Sequence, residues 1–378
     1  MKTVLSICIA LVFLISAGAQ TSTPPFIKLF IGTYTHTGKS EGIYCYAFDT
    51  KTAATTLLSK TITESPSYLA ISQNQQFLYS VNQLGDKKGG ASAFKLDAGS
   101  GKLIFLNRVR FGSNGPCYIT TDPEGRFVFT ANYNDGYLKV LPIQKDGSLD
   151  SNGQLIQQYG KSIYPGRQDS PHVHSTVLSP GGQYLLVQDL GTDFIKVYPV
   201  NFSKRSSPLG PVIDSCKLQP GSGPRHLVFH PTKKDRVYVI QELTGMITVL
   251  SFAKGKLHIR QSVYIEPEDF KGKNGAADIH ISPDGKYLYG SNRGDANDIV
   301  IYAIDAAGHL TYKGRQSALG KGPRNFTIDP TGNFLLVANQ QSDEVVIFKR
   351  DKKTGQLADT GKTIKVGAPV CLQMIVAE

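Results

Sequence analysis

The chain has 378 residues, 41 Lys and Arg against 30 Asp and Glu for a formal charge of +11 at pH 7, and 40% hydrophobic residues with no Trp. The basic residues are scattered and no Arg/Lys-rich helix or nucleic-acid module accompanies them, so no nucleic acid is expected as a partner; the sign of the charge suits small anions or an anionic cell envelope. Beyond residue 15 no segment stays apolar for eighteen residues, which argues against a membrane span in the body of the chain.

In chain order, Met1-Lys2-Thr3, an apolar run over 4–15 and Ala17-Gly18-Ala19 supply the basic start, short hydrophobic core and small-residue cleavage site of a secretory signal. Residues 1–19 are expected to be a cleaved signal peptide, with Gln20 first in the mature protein and a periplasmic or secreted location. Its core is too short to span a bilayer, so no stable membrane insertion is expected after cleavage. Cys8 lies inside the run and not at its end, which does not suggest a lipoprotein anchor. Residues 20–378 then form one domain.

Next, 29–34 (Leu-Phe-Ile-Gly-Thr-Tyr) reads as a second strand with no first strand before it. Six stretches follow, at 66–83, 116–133, 173–190, 224–242, 276–293 and 323–340, each an apolar strand, a tight turn, a second apolar strand and a polar amide or acid. Their turn anchors Gln73, Pro123, Pro180, Pro231, Pro283 and Pro330 lie 47 to 57 residues apart, the period of a four-stranded propeller blade. Turns such as Asp122-Pro123-Glu124-Gly125 set Pro where φ near −65° is wanted and Gly where the chain re-enters a strand. Residues 299–302 and 345–348 are examples of the further strands in each unit.

Finally, 369–375 reads as a first strand with no second one after it. The expected fold is therefore all-β, a seven-bladed β-propeller whose closing blade is made from both termini, leaving no open sheet edge. Cys45, Cys117, Cys216 and Cys371 read as lying one to a blade and are expected to be buried free thiols.

In an antiparallel hairpin the start of the first strand and the end of the second share an edge. Six residues before the turn anchors stand Ser67, Cys117, His174, Arg225, Ala277 and Arg324, with Val370 in the closing blade. The second strands end in Asn82-Gln83, Asn132-Tyr133, Asp189-Leu190, Gln241-Glu242, Asn292-Arg293 and Asn339-Gln340. A purely structural repeat would keep these interchangeable, whereas His174, Arg225, Glu242 and Arg293 depart from it. The Asn row suits local backbone hydrogen bonds. His172 and His174, two apart, could share a strand face and a metal, but no further ligand cluster accompanies them. His226, His230 and His280 read as packed or turn histidines.

The stretches 30–34, 171–175, 223–226, 241–242, 277–280, 292–293 and 323–326 together resemble the lactonase family of seven-bladed propellers, which includes the propeller-type 6-phosphogluconolactonases and is related to the fungal carboxy-cis,cis-muconate cyclase. The resemblance spans essentially the whole mature chain. It implies hydrolysis of a small anionic or sugar lactone to its acid, with no cofactor and no metal. His174, Arg225, Glu242 and Arg293 would be the catalytic residues. A neutral His174 or an ionised Glu242 could take a proton from water, a choice left open at this point, and Arg225 with Arg293 could stabilise the oxyanion. Arg324 suits a substrate phosphate or carboxylate, with His172, Asp189 and Asn132 completing the substrate-binding set. A secretory signal fits poorly with cytoplasmic sugar phosphates, so an unphosphorylated aldonolactone is an equal expectation. Two alternatives remain: a non-catalytic binding propeller of the cell envelope, and a metal-dependent lactonase with Asp189 and the Asn row as calcium ligands. The sequence leaves the oligomeric state open.

Overall fold

A computed structural model describes residues 26–97 and 99–376; the expected signal peptide lies outside them. Seven antiparallel four-stranded sheets make up the described residues. The six internal repeats form blades 1 to 6, beginning with the strands Tyr68–Ile71, Pro116–Thr121, Val173–Leu178, Pro224–Phe229, Ala276–Ile281 and Pro323–Ile328. Blade 7 is completed from both ends of the chain, as the periodicity predicts: Pro369–Val376 pairs with Phe26–Thr33 in the register Ile27↔Val376 to Gly32↔Cys371. The first strand of each blade packs on that of the next, and the strand Pro369–Val376 packs on Tyr68–Ile71, so the ring closes.

Burial follows from this stacking. Second strands are covered on both faces by neighbouring sheets, and Phe127–Asn132 is buried at every residue. Fourth strands lie at the rim, and Thr55–Ile62 is largely exposed. The core is therefore seven inter-blade seams. One joins Phe129, Ala131 and Val140 of blade 2 to Val173, Leu185 and Val187 of blade 3; truncating such a residue to Ala costs about 2–5 kcal/mol.

The turns carry their own locks. Asp122 accepts hydrogen bonds from the backbone N–H of Glu124 (3.2 Å), Arg126 (2.8 Å) and Phe127 (2.6 Å), and Asp329 does the same for Thr331 and Phe334. The four cysteines among the described residues are free, with Cys216 only partly buried. The expectation of one per blade fails for Cys45 and Cys371. Both lie in the closing sheet, on the two strands that flank Phe26–Thr33, because that blade draws on both ends of the chain.

A candidate active site at the propeller mouth

The mouth is built by a repeated irregularity. Where the first strand begins in blades 2 to 7, its register against the second strand skips a residue: Pro116 pairs with Asn132 and Tyr118 with Ala131, leaving out Cys117. The same bulge leaves out His174, Arg225 and Arg324 and Val370 in blade 7, and in blade 5 the three steps from Ala276 to Ile279 run against two from Asn292 to Gly290, again one residue extra. A bulged residue is released from the pleat and can be aimed anew. This is why the position six before each turn carries unlike residues: it is free of the alternation that the seams impose.

Opposite the bulges, the second strands end in a buried polar row that faces backbone. Asn82 donates to Glu64 O (2.7 Å), and Asn339 to Ala318 O (2.9 Å). Asn292 Oδ1 accepts from Gly275 and Gly294 N–H (both 2.9 Å). Asn132 Oδ1 takes the Asp135 N–H (3.2 Å), and Asp189 Oδ1 takes those of His172 (2.7 Å) and Gly191 (3.0 Å). Asn132 and Asp189 thus stand in the capping row and are not among the residues that line the cavity.

In four blades the residue after the cap reaches the mouth, as Gln83, Tyr133, Glu242 and Arg293. Its N–H is tied to the carbonyl just before the neighbouring first strand: Glu242 to Gly223 O (2.8 Å), Arg293 to Gly275 O (3.1 Å) and Tyr133 to Gly115 O (3.2 Å). Gly223 sits at φ 65°, and a Cβ there would lie 2.7 Å from Leu243 Cγ. Only glycine fits such a position without strain.

These placements enclose a cavity of about 250 Å3 lined by Tyr34, Gln83, Cys117, Tyr133, Asn134, His174, Glu242, Arg293 and Arg324. That is the scale of a single sugar ring, below the roughly 300–1,000 Å3 of sites for drug-sized ligands. Glu242 is its electrostatic centre. Its Oε2 meets Arg225 Nε and Arg293 Nη2, each at 2.9 Å, and its Oε1 meets Arg167 Nη2 at 2.6 Å. Burial would raise its pKa, but Arg293, Arg225 and Arg167 outweigh that and hold the carboxyl well below the usual range.

Arg225 is 2% exposed and lies beneath the lining residues. Its Nε is spent on Glu242 and its Nη1 on Ala277 O (2.6 Å) and His226 Nε2 (3.1 Å), leaving Nη2 without a partner among the described residues. Arg293 similarly uses Nε on Gly275 O and Nη2 on Glu242. Arg324 has no carboxylate partner there; its guanidinium stands 5.4 Å from the Tyr34 ring centroid. Arg167 was not anticipated. It arrives on a strap over 158–172 whose Gln168 is fixed to Asp193 Oδ1 and Leu190 O, each at 2.8 Å. The longest step between turn anchors, 57 residues, is the signal that such an insertion exists.

His174 is 4% exposed, and neither ring nitrogen has a hydrogen-bond partner among the described residues. Burial first, then the charges of Arg225, His226, Arg324 and Arg293, push its pKa well below the ordinary histidine value, so it is neutral at physiological pH. His172, by contrast, donates from Nδ1 to Tyr133 O (2.7 Å) and stacks on the Tyr133 ring at 4.4 Å. It backs a lining residue and does not itself line the cavity. Cys117 lines it, but burial pushes the thiol up to about 12, which leaves it inert. Among the described residues no helix is long and apolar enough to cross a membrane.

The model of a family described as seven-bladed beta-propeller lactonases matches residues 28–374. A 6-phosphogluconolactonase of Formosa agariphila is 38% identical over 92% of this chain and 99% of its own. One of Bacillus subtilis is 35% identical over 92% and 97%. The solved periplasmic gluconolactonase of Pseudomonas aeruginosa superposes with a TM-score of 0.87 at 37% identity, covering 93% of this chain and all of that one. With its closed ring of seven blades and a family match over nearly its full length, the chain belongs to the lactonase family of seven-bladed β-propellers.

Proposed function

We propose that the protein hydrolyses a sugar lactone to its open-chain acid in the mouth cavity. The observation that carries this reading is a neutral histidine, free at both ring nitrogens among the described residues, sharing a cavity with guanidiniums that retain N–H groups uncommitted there. His174 is the general base: it takes the proton of a water molecule as the oxygen attacks the lactone carbonyl carbon. Glu242 is the poorer candidate, because three guanidiniums stabilise its ionised form and a proton there would forfeit all three. Arg225 Nη2 and Arg293 Nη1 meet the negative charge that develops on the carbonyl oxygen. The intermediate collapses by breaking the bond to the ring oxygen, which takes the proton back from His174 and leaves as the alcohol of the hydroxy acid.

Arg324 grips an anionic or strongly polar substituent of the substrate. The relatives named above act, by their names, on 6-phosphogluconolactone and gluconolactone, and both remain candidate substrates here. The N-terminal signal read from the sequence, and the periplasmic relative, support export of the mature domain; N-terminal sequencing that finds Gln20 first would test it.

The test is a hydrolysis assay of the purified protein on glucono-δ-lactone and its 6-phosphate. Turnover above spontaneous opening on either supports lactone hydrolysis, and the ratio of the two names the substrate. No turnover on either overturns it in favour of a binding propeller.

A further inference from the structure

Directly beneath the cavity the first strands bring Tyr68, Tyr118, His226, Asp278 and Asn325 together in the channel, and none of them is used by the chemistry above. A guanidinium can only donate hydrogen bonds. With Arg225 Nη1 at 3.1 Å, His226 Nε2 is therefore the acceptor, and the ring proton sits on Nδ1, which donates to Asp278 Oδ1 at 2.7 Å. The other carboxylate oxygen, Oδ2, accepts from His280 Nε2 (3.0 Å), the Phe326 N–H (3.3 Å) and Asn325 Nδ2. Asn325 Oδ1 in turn accepts the Leu372 N–H at 2.7 Å. Asp278 is thus fixed from blades 4, 5 and 6 and, through Asn325, from blade 7. Tyr68 and Tyr118 press edge-to-face on the His226 ring at 5.7 and 5.4 Å, which holds its plane.

We propose that His226 and Asp278 are positioning residues of the reaction: Asp278 fixes His226 as its Nδ1–H tautomer, so that Nε2 holds Arg225 Nη1 and the guanidinium keeps one uncommitted amino group, Nη2, in one place. The kinetic part of this inference rests on the lactone-hydrolysis reading; the tautomer does not. The charges agree with it. Burial and the Arg225 charge pull His226 down to about 4, and His280 with His226 holds the Asp278 carboxyl below the usual range against its burial. The pair is therefore a neutral imidazole on a carboxylate at neutral pH. In metal sites a carboxylate–histidine pair orients the working ligand in the same way, and losing the outer partner there costs about 10- to 100-fold, the scale adopted here for a guanidinium.

The test is a mutant cycle with a spectroscopic control. His226→Leu should lower kcat roughly 10- to 100-fold with KM little changed, and His226→Gln, whose amide oxygen can accept in place of Nε2, should recover much of that. In an Arg225→Lys background, which keeps the charge but not the fork, His226→Leu should cost less than about threefold further, as expected when one residue acts through another. The ring 15N resonances that vanish in His226→Gln should report a neutral Nδ1–H tautomer in the unsubstituted protein at pH 7. Losses that multiply in the double mutant, or an Nε2–H tautomer or imidazolium, would overturn the proposal. Lack of activity in the unsubstituted protein would count against lactone hydrolysis instead, and the 15N spectrum would still decide this inference.

Discussion

At Glu242 three guanidiniums converge on one carboxylate, so a neutral amide there leaves Arg167, Arg225 and Arg293 facing one another uncompensated. Breaking such a buried pair costs about 3–5 kcal/mol, and Glu242→Gln should lower Tm accordingly and reduce turnover; an unchanged melting curve would contradict the network. Arg324, which meets no carboxylate among the described residues, should behave differently. Arg324→Ala should raise KM about tenfold or more for the better substrate and leave kcat within a few-fold, because guanidinium and anion meet in ground and transition state alike. The residues themselves were legible to unequal degrees. His174, Arg225, Glu242, Arg293 and Arg324 could be found because a fixed offset from the turn singles out unlike residues. Arg167 could not, since it belongs to a strap with no counterpart in other blades, and Asp278 was hidden because it stands five residues before its turn anchor Pro283, one place outside the row that the offset singles out.

Among the strands, the hairpin phrase was readable because propeller seams demand apolar residues on both faces and the turns demand Pro, Asp and Gly. The bulges were not, for a skipped residue leaves the apolar pattern on either side intact. They explain why Asn132 and Asp189, expected to touch substrate, cap backbone: they pair opposite the first residue of the strand, before the bulge, and after Asn132 it is Tyr133 that lines the cavity. The closing blade offers the sharpest element-scale prediction. Deleting 369–378 removes the inner strand that pairs with Phe26–Thr33 and uncovers the innermost strand of blade 1, Tyr68–Ile71, on one side. Cooperative unfolding should be lost, with rapid proteolysis at 25 °C, whereas removing the rim strand Thr55–Ile62's exposed residues Leu57 and Leu58 by substitution with Ser should shift Tm only slightly. A cooperative melt in the deletion variant would contradict ring closure as the source of stability.

Over the whole molecule, buried titratable groups set how stability depends on pH. Burial and Arg225 depress His226 to about 4, so between that value and the ordinary unfolded histidine value of about 6.5 the unfolded chain binds the proton first, and stability falls as pH falls. Glu242 and Asp278, both depressed, extend the loss below about pH 4. Asp298 works in the opposite sense. Burial first, then the charge of Glu266, raises it to about 6, so the folded form binds its proton first and gains stability as pH drops from about 6 to 4. Tm should therefore decline gently between pH 6.5 and 4.5, and more steeply in Asp298→Asn; identical slopes would refute the compensation. In the working protein the proposed general base is the buried neutral His174 and not Glu242. The most direct measurement is kcat/KM for lactone hydrolysis in His174→Ala beside the unsubstituted protein, with Tm recorded for both. A fall of about 100-fold or more at nearly constant Tm, the usual size of a general-base contribution, is the result the account predicts, and a rate equal to that of the unsubstituted protein would contradict it.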